Sequence, residues 1–157
     1  MPLRTITLIL ALFCISASLW AADDPMIGNW KLNGAKSKFG SGPPRKSETR
    51  RHEPYGKDGL KVTNDRVNEQ GSPLHITYIA EYDGKDYPVT GDPSRDTVSM
   101  KRIDAYTVEG TSKKAGKVTV IFRHVVSKDG KTLTITQRGT NAPGPPTNAF
   151  VIVFDKQ

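Results

Sequence analysis

The chain has 157 residues, with 23 Lys+Arg against 16 Asp+Glu, a formal charge of +7, one Cys, 14 Gly, 11 Pro and 36% apolar residues. That composition excludes a disordered chain and a multi-span helical membrane protein, and the length suits a single domain. A chain of this size buries about 68% of its unfolded surface on folding, so a core alone can stabilise it without a metal or a disulfide.

Residues 1–22 read as a cleaved secretory signal. Arg4 supplies the positive start, residues 6–18 (ITLILALFCISAS) the apolar stretch, and Ala21 and Ala22 the small residues for cleavage. The apolar stretch is shorter than the roughly 20 residues that a spanning helix needs, so no transmembrane span is expected in the mature form. Leu12 and Phe13 precede Cys14, where lipid attachment requires small side chains, so lipidation is not expected. Cys14 is the only cysteine, and its loss with the signal excludes catalytic thiols, disulfides and Cys-ligated zinc from the domain at 23–157. A cysteine-free exported domain points to a periplasmic or secreted protein. Only Arg4 leaves the charge count with the signal, so the mature chain carries +6.

Turn chemistry then recurs at near-regular spacing: Asp58-Gly59, Gln70-Gly71-Ser72, Asp83-Gly84, Gly91-Asp92-Pro93, Asp104-Ala105, Ala115-Gly116 and Asp129-Gly130. Asp-Gly readily takes the positive φ angles of a tight hairpin, and the intervening runs alternate with period two and are rich in Val, Ile, Thr and Tyr. Strands are expected at about 27–33, 46–53, 60–68, 73–82, 85–90, 96–103, 106–113, 117–126, 131–139 and 148–155. In 74–82, Leu74, Ile76, Tyr78, Ala80 and Tyr82 share one face while His75, Thr77 and Glu81 share the other. In 117–126 both faces are partly apolar, because Val118, Val120 and Phe122 alternate with Thr119, Ile121 and Arg123, and the inward face stays open. One helical turn near 35–39 is the only helical signal outside residues 1–22. Consecutive hairpins with one dry face predict an all-β antiparallel up-and-down meander of 8 to 10 strands closed into a barrel. A two-sheet sandwich is the alternative, although only 34–45 and 140–147 are long enough to cross between sheets.

The first strand reads Ile27-Gly28-Asn29-Trp30-Lys31-Leu32, and this Gly-x-Trp element at the head of a β meander resembles the calycin group of lipocalins and fatty-acid-binding proteins. The resemblance is closest to the lipocalin-like domains of small exported bacterial proteins. It implies a ligand-binding barrel with Trp30 plugging one end. Two departures matter. The 34–45 segment holds Gly40, Gly42, Pro43 and Pro44, which leaves no room for the helical lid of the fatty-acid-binding proteins. Ile152 and Phe154 stand where their Arg-x-Tyr ligand grip would be, and Arg123 falls near a second pocket arginine of that family.

No catalytic constellation emerges, so a non-catalytic protein without cofactor is expected. His52, His75 and His124 show no metal-binding spacing; His52 and His75 read as solvated strand residues. His124 points inward if Phe122 does, as a core residue or a pocket group. Basic pairs at Arg45-Lys46, Arg50-Arg51, Lys101-Arg102 and Lys113-Lys114 read as a charged outer surface; without aromatic interleaving, nucleic acid is not an expected partner. Two functional readings follow for a monomeric barrel. In the first, a small, neutral hydrophobic molecule sits inside, against Tyr78, Tyr82, Met100, Tyr106, Phe122, Arg123, His124, Phe150 and Ile152. In the second, side chains fill the barrel and its basic exterior meets anionic cell-envelope partners.

Overall fold

The structure is a computed structural model that describes residues 24–40, 44–140 and 149–157. The expected signal at 1–22 lies outside the described residues, as does most of the long 140–147 connection. Ten strands follow one another: β1 (Gly28–Leu32), β2 (Arg45–Tyr55), β3 (Gly59–Asn68), β4 (Pro73–Glu81), β5 (Tyr87–Thr90), β6 (Thr97–Asp104), β7 (Thr107–Lys114), β8 (Lys117–Val126), β9 (Thr132–Gly139) and β10 (Phe150–Lys156). Each pairs antiparallel with its neighbours in sequence, and β1 closes the ring by pairing with both β2 and β10. The barrel therefore replaces the sandwich alternative. Closure leaves no unpaired sheet edge, the usual reason for a long meander to curl on itself.

The expected helical turn is a single 3-10 turn at Gly34–Lys36, capped by Asn33, whose side chain accepts from the Lys36 amide. The chain after it continues the wall, with Lys38 and Val151 exchanging backbone hydrogen bonds of 2.7 and 2.8 Å. Among the described residues no helix is long and apolar enough to cross a membrane.

The open parity of the eighth strand is decided by its partner. Phe122 lies opposite Gly110 on β7, and a Cβ added at Gly110 would stand 2.5 Å from the Phe122 ring. Only glycine gives that ring room inside the barrel, so Phe122, His124 and Val126 point inward while Ile121 and Arg123 point out. A bulge between Ser112 and Lys113 then leaves Val118 exposed.

The interior divides along the barrel axis. At one end, which receives the N-terminal segment and the turns at 56–58 and 127–131, Met26, Trp30, Leu60, Val62, Met100, Leu133 and Phe154 are fully buried. Trp30 donates from Nε1 to the Met26 carbonyl at 3.2 Å, which satisfies the indole while the chain seals this end. Arg102 fastens the seal, pairing with Asp24 and lying 4.1 Å over the Tyr82 ring. Toward the other end the inward face turns polar. Along β3 the series Leu60, Val62, Asn64, Arg66 makes the change within one strand.

Candidate functional site

The polar half of the interior contains a cavity of about 100 Å³, lined chiefly by Arg45, Glu48, Arg50, Asn64, Arg66, Tyr78, Asp92, Ser94, Arg95, Ser112, Phe122, His124, Gln137 and Ile152. β2 contributes half of the charged side chains, Arg45, Glu48 and Arg50. Strict alternation from His52 back through Arg50 and Glu48 would bring Lys46 inside, but the register with β3 shifts between Arg45 and Ser47. That bulge leaves Lys46 exposed and brings Arg45 to the cavity instead.

Glu48 is fully buried between two guanidinium groups, bonding Arg45 through one oxygen and Arg50 Nη1 through the other at 3.4 Å. Arg50 also reaches the Tyr78 hydroxyl at 3.4 Å and His52 Nε2 at 3.3 Å, all long contacts and individually weak. His52 Nδ1 lies 2.9 Å from the Met26 carbonyl, which can only accept, so Nδ1 carries the proton and Nε2 faces the arginine with its lone pair. Burial, reinforced by the Arg50 charge and only partly opposed by the Met26 carbonyl, pulls the His52 pKa down to about 3. The ring is neutral at physiological pH.

The second charged group comes from the turn between β5 and β6. Arg95 Nε donates to Asp92 at 2.9 Å and its Nη1 to Ser112 Oγ at 3.1 Å. Burial would raise the Asp92 carboxyl, but hydrogen bonds from Ser94 and the Arg95 charge outweigh it and hold the group below its ordinary value. Gly91 permits this turn. Its φ is +83°, and a Cβ there would come within 1.9 Å of the His75 carbonyl oxygen.

Four arginines thus face two carboxylates across the cavity. Glu48 pairs with Arg45 and Arg50, and Asp92 pairs directly with Arg95 while also feeling the charge of Arg66. Arg66, half-buried and opposite Glu48 in the β2–β3 register, makes no side-chain hydrogen bond or ion pair among the described residues. Burial and the charges of Arg66 and Arg50 together pull Arg45 below its usual pKa, even though Glu48 pushes the other way. The site is crowded with like charge. On the opposite wall His124 stacks on Phe122 with ring centroids 4.8 Å apart, and its Nδ1 is buried without a partner among the described residues. Burial, then the charges of Arg50 and Arg95, keep that imidazole neutral as well.

Of the residues expected to line a pocket, Tyr78, Phe122, His124 and Ile152 do so. Tyr82 and Met100 instead belong to the apolar core of the sealed end, and Tyr106 packs against that core beneath Lys128 Nζ, 4.1 Å over its ring. Phe150 is half-buried at the start of β10 and does not reach the cavity. Arg123 is corrected outright. Its side chain is 52% exposed on the outer face and pairs with Glu109 at 2.6 Å, because inward Phe122 forces its neighbour outward. His52 is corrected too, since it is 1% exposed rather than solvated, whereas His75 is exposed beside Asp65. Arg45 and Arg50, expected on the outside, line the interior.

Sequence reasoning missed Arg45, Glu48, Arg50, Asn64, Arg66, Asp92 and Arg95. A signal existed for Asn64 and Arg66, which continue the period-two series of Leu60 and Val62. None existed in β2, whose inward and outward faces are equally charged.

Other surface depressions are larger but lack this concentration of charge. One, about 430 Å³, lies beside the sealed end between Pro25, Pro54, Tyr106 and Arg102, where Arg102 is already paired with Asp24 and Asp58. Among the described residues no group of three or more His, Cys, Asp or Glu side chains could hold a metal ion. No protein-family model matches the sequence, and no curated protein matches it either.

Proposed function

We propose that this barrel is a non-catalytic binding protein that takes a small anionic molecule into the polar half of its interior. The observation that carries this reading is Arg66, a half-buried guanidinium with no side-chain hydrogen bond or ion pair among the described residues, in a cavity where four arginines face only two carboxylates. A guanidinium that has lost part of its hydration without a direct ion pair is costly, and an oxyanion bound in its planar fork repays the loss. The preference for a neutral apolar ligand is accordingly revised. Such a molecule would strip water from the arginines and return nothing.

The cavity also limits size. At about 100 Å³ it has room for several waters or one compact anion. Drug-sized ligands occupy pockets of roughly 300 Å³ or more. Both cavity carboxylates are held by arginines, which leaves neither free as a general base and supports a binding role. The calycin-type resemblance of the Gly28-x-Trp30 start fits an interior ligand, and the pattern of residues 1–22 supports a periplasmic or secreted protein.

Titration calorimetry with phosphate, sulfate and small carboxylates tests the proposal. Saturable binding that weakens at least tenfold in Arg66→Gln is expected; that ratio corresponds to about 1.4 kcal/mol, close to the lower end for a charged hydrogen-bonded contact. Binding unaffected by the substitution, or no binding of any anion at millimolar concentration, overturns it. The second reading, a filled barrel whose basic exterior meets anionic envelope polymers, is favoured by the cavity's small size. It predicts the second of those outcomes, with polyanions binding at the surface.

A further inference from the structure

Arginines only donate hydrogen bonds, so an anion-binding cavity built from them alone would be indifferent to whether its ligand can donate in return. This cavity is built differently. Among its lining residues, Asn64 on β3 and His124 on β8 are both almost wholly buried, and neither side chain makes a hydrogen bond to a described residue. The Asn64 carbonyl oxygen and His124 Nδ1 are both buried without a hydrogen-bond partner among the described residues. Whichever way the amide is turned, Asn64 offers one acceptor oxygen; whichever nitrogen carries the proton, a neutral imidazole offers one lone pair. The cavity therefore combines surplus cationic donors with two almost wholly buried side chains, each offering one acceptor that finds no donor among the described residues.

Resting on the anion-binding reading above, we infer that the ligand is a compact oxyanion carrying its own hydroxyl donor, of the hydrogenphosphate or hydroxycarboxylate class. Its charged oxygens meet Arg66 and the neighbouring guanidinium groups, and its hydroxyl meets Asn64 or His124. An anion of equal size without a hydroxyl satisfies the arginines but keeps the acceptors unpaired. Sites that hydrogen-bond a substrate hydroxyl discriminate strongly against the analogue lacking it, for that reason.

Matched pairs test the inference on the unaltered protein by calorimetry at pH 7.5. Inorganic phosphate, which retains a hydroxyl at that pH, is compared with sulfate, which has none; lactate is compared with propionate. Binding of the hydroxyl-bearing member at least about tenfold tighter is expected in one pair or both, and which pair responds tells phosphate from carboxylate chemistry. Equal or tighter binding of sulfate and propionate overturns the inference while leaving the anion-binding reading intact. No binding of any of the four overturns both. Asn64→Leu and His124→Phe remove the acceptors at similar volume. The preference should fall to about twofold or less in one of them while sulfate binding persists, and a preference unchanged in both variants overturns the assignment of these acceptors.

Discussion

In the sealed half of the interior, Trp30, Leu60, Val62, Met100, Leu133 and Phe154 are packed out of contact with water; toward the other end the same wall presents Glu48, Arg50, Asn64 and Arg66. Each apolar side chain in the first set contributes about 1.5 to 3 kcal/mol by leaving water. The second set contributes little, because desolvating an ion pair roughly cancels its Coulombic gain. The sealed half thus stabilises the barrel strongly enough to hold a cationic half that does not stabilise itself. Charge that costs stability and leaves Arg66 without an ion pair among the described residues is what the proposed anion would compensate.

The largest expected effects lie at the core and at the one carboxylate that holds two arginines. Trp30→Ala should lower unfolding stability in urea by about 3 to 5 kcal/mol, the range for deleting a buried aromatic ring; a loss below about 1 kcal/mol would remove Trp30 from the core of the sealed end. Glu48→Gln should cost about 3 kcal/mol, since it breaks a buried pair and leaves Arg45 and Arg50 facing each other uncompensated. A neutral result there would mean that the guanidinium groups are solvated rather than buried.

Acid should act through the two interior histidines. His52 has a folded-state pKa of about 3 and His124 lies well below its ordinary 6.5, so between those limits the unfolded chain binds protons that the folded chain refuses. Their stabilising contribution is complete above the unfolded-state value and is lost as pH falls below about 6.5, by up to about 1.4 kcal/mol per pH unit for each residue. Urea midpoints at pH 7.5, 6 and 5 should fall in that order. A flat profile would show that both rings can charge in place.

Arg66→Met separates the halves most sharply, because removing surplus charge should raise stability by up to about 1 kcal/mol while weakening anion binding. Loss of both stability and binding would show instead that Arg66 is a structural partner. The smallest effect belongs to the outer face. Arg123→Ala breaks an exposed pair with Glu109 and should change stability by less than about 1 kcal/mol, leaving anion affinity unaltered, as thermal melts with and without phosphate would report.

Strand positions were legible to within about two residues wherever Asp-Gly turns bounded an alternating run, as for 73–82 against the observed Pro73–Glu81 and 131–139 against Thr132–Gly139. The site was far less legible. Tyr78 and His124 were within reach because each sits in a run with apolar neighbours at i±2. Arg50 and His52 were not, because Arg-Arg-His-Glu gives no dry face from which to tell inside from outside.

The amino-acid sequence by itself determined that the described chain is all-β, where its hairpins turn, and that Trp30 belongs to a core, because turn propensity and period-two alternation are local properties. Tertiary structure decided three things that depend on neighbours across the sheet. Gly110 opposite Phe122 set the parity of β8, a bulge at Arg45 chose which basic residue enters, and closure of β1 onto β10 made one face of β2 an interior. A charged strand carries no preference for either face, so only the ring of strands around it could turn Glu48, Arg50 and His52 inward.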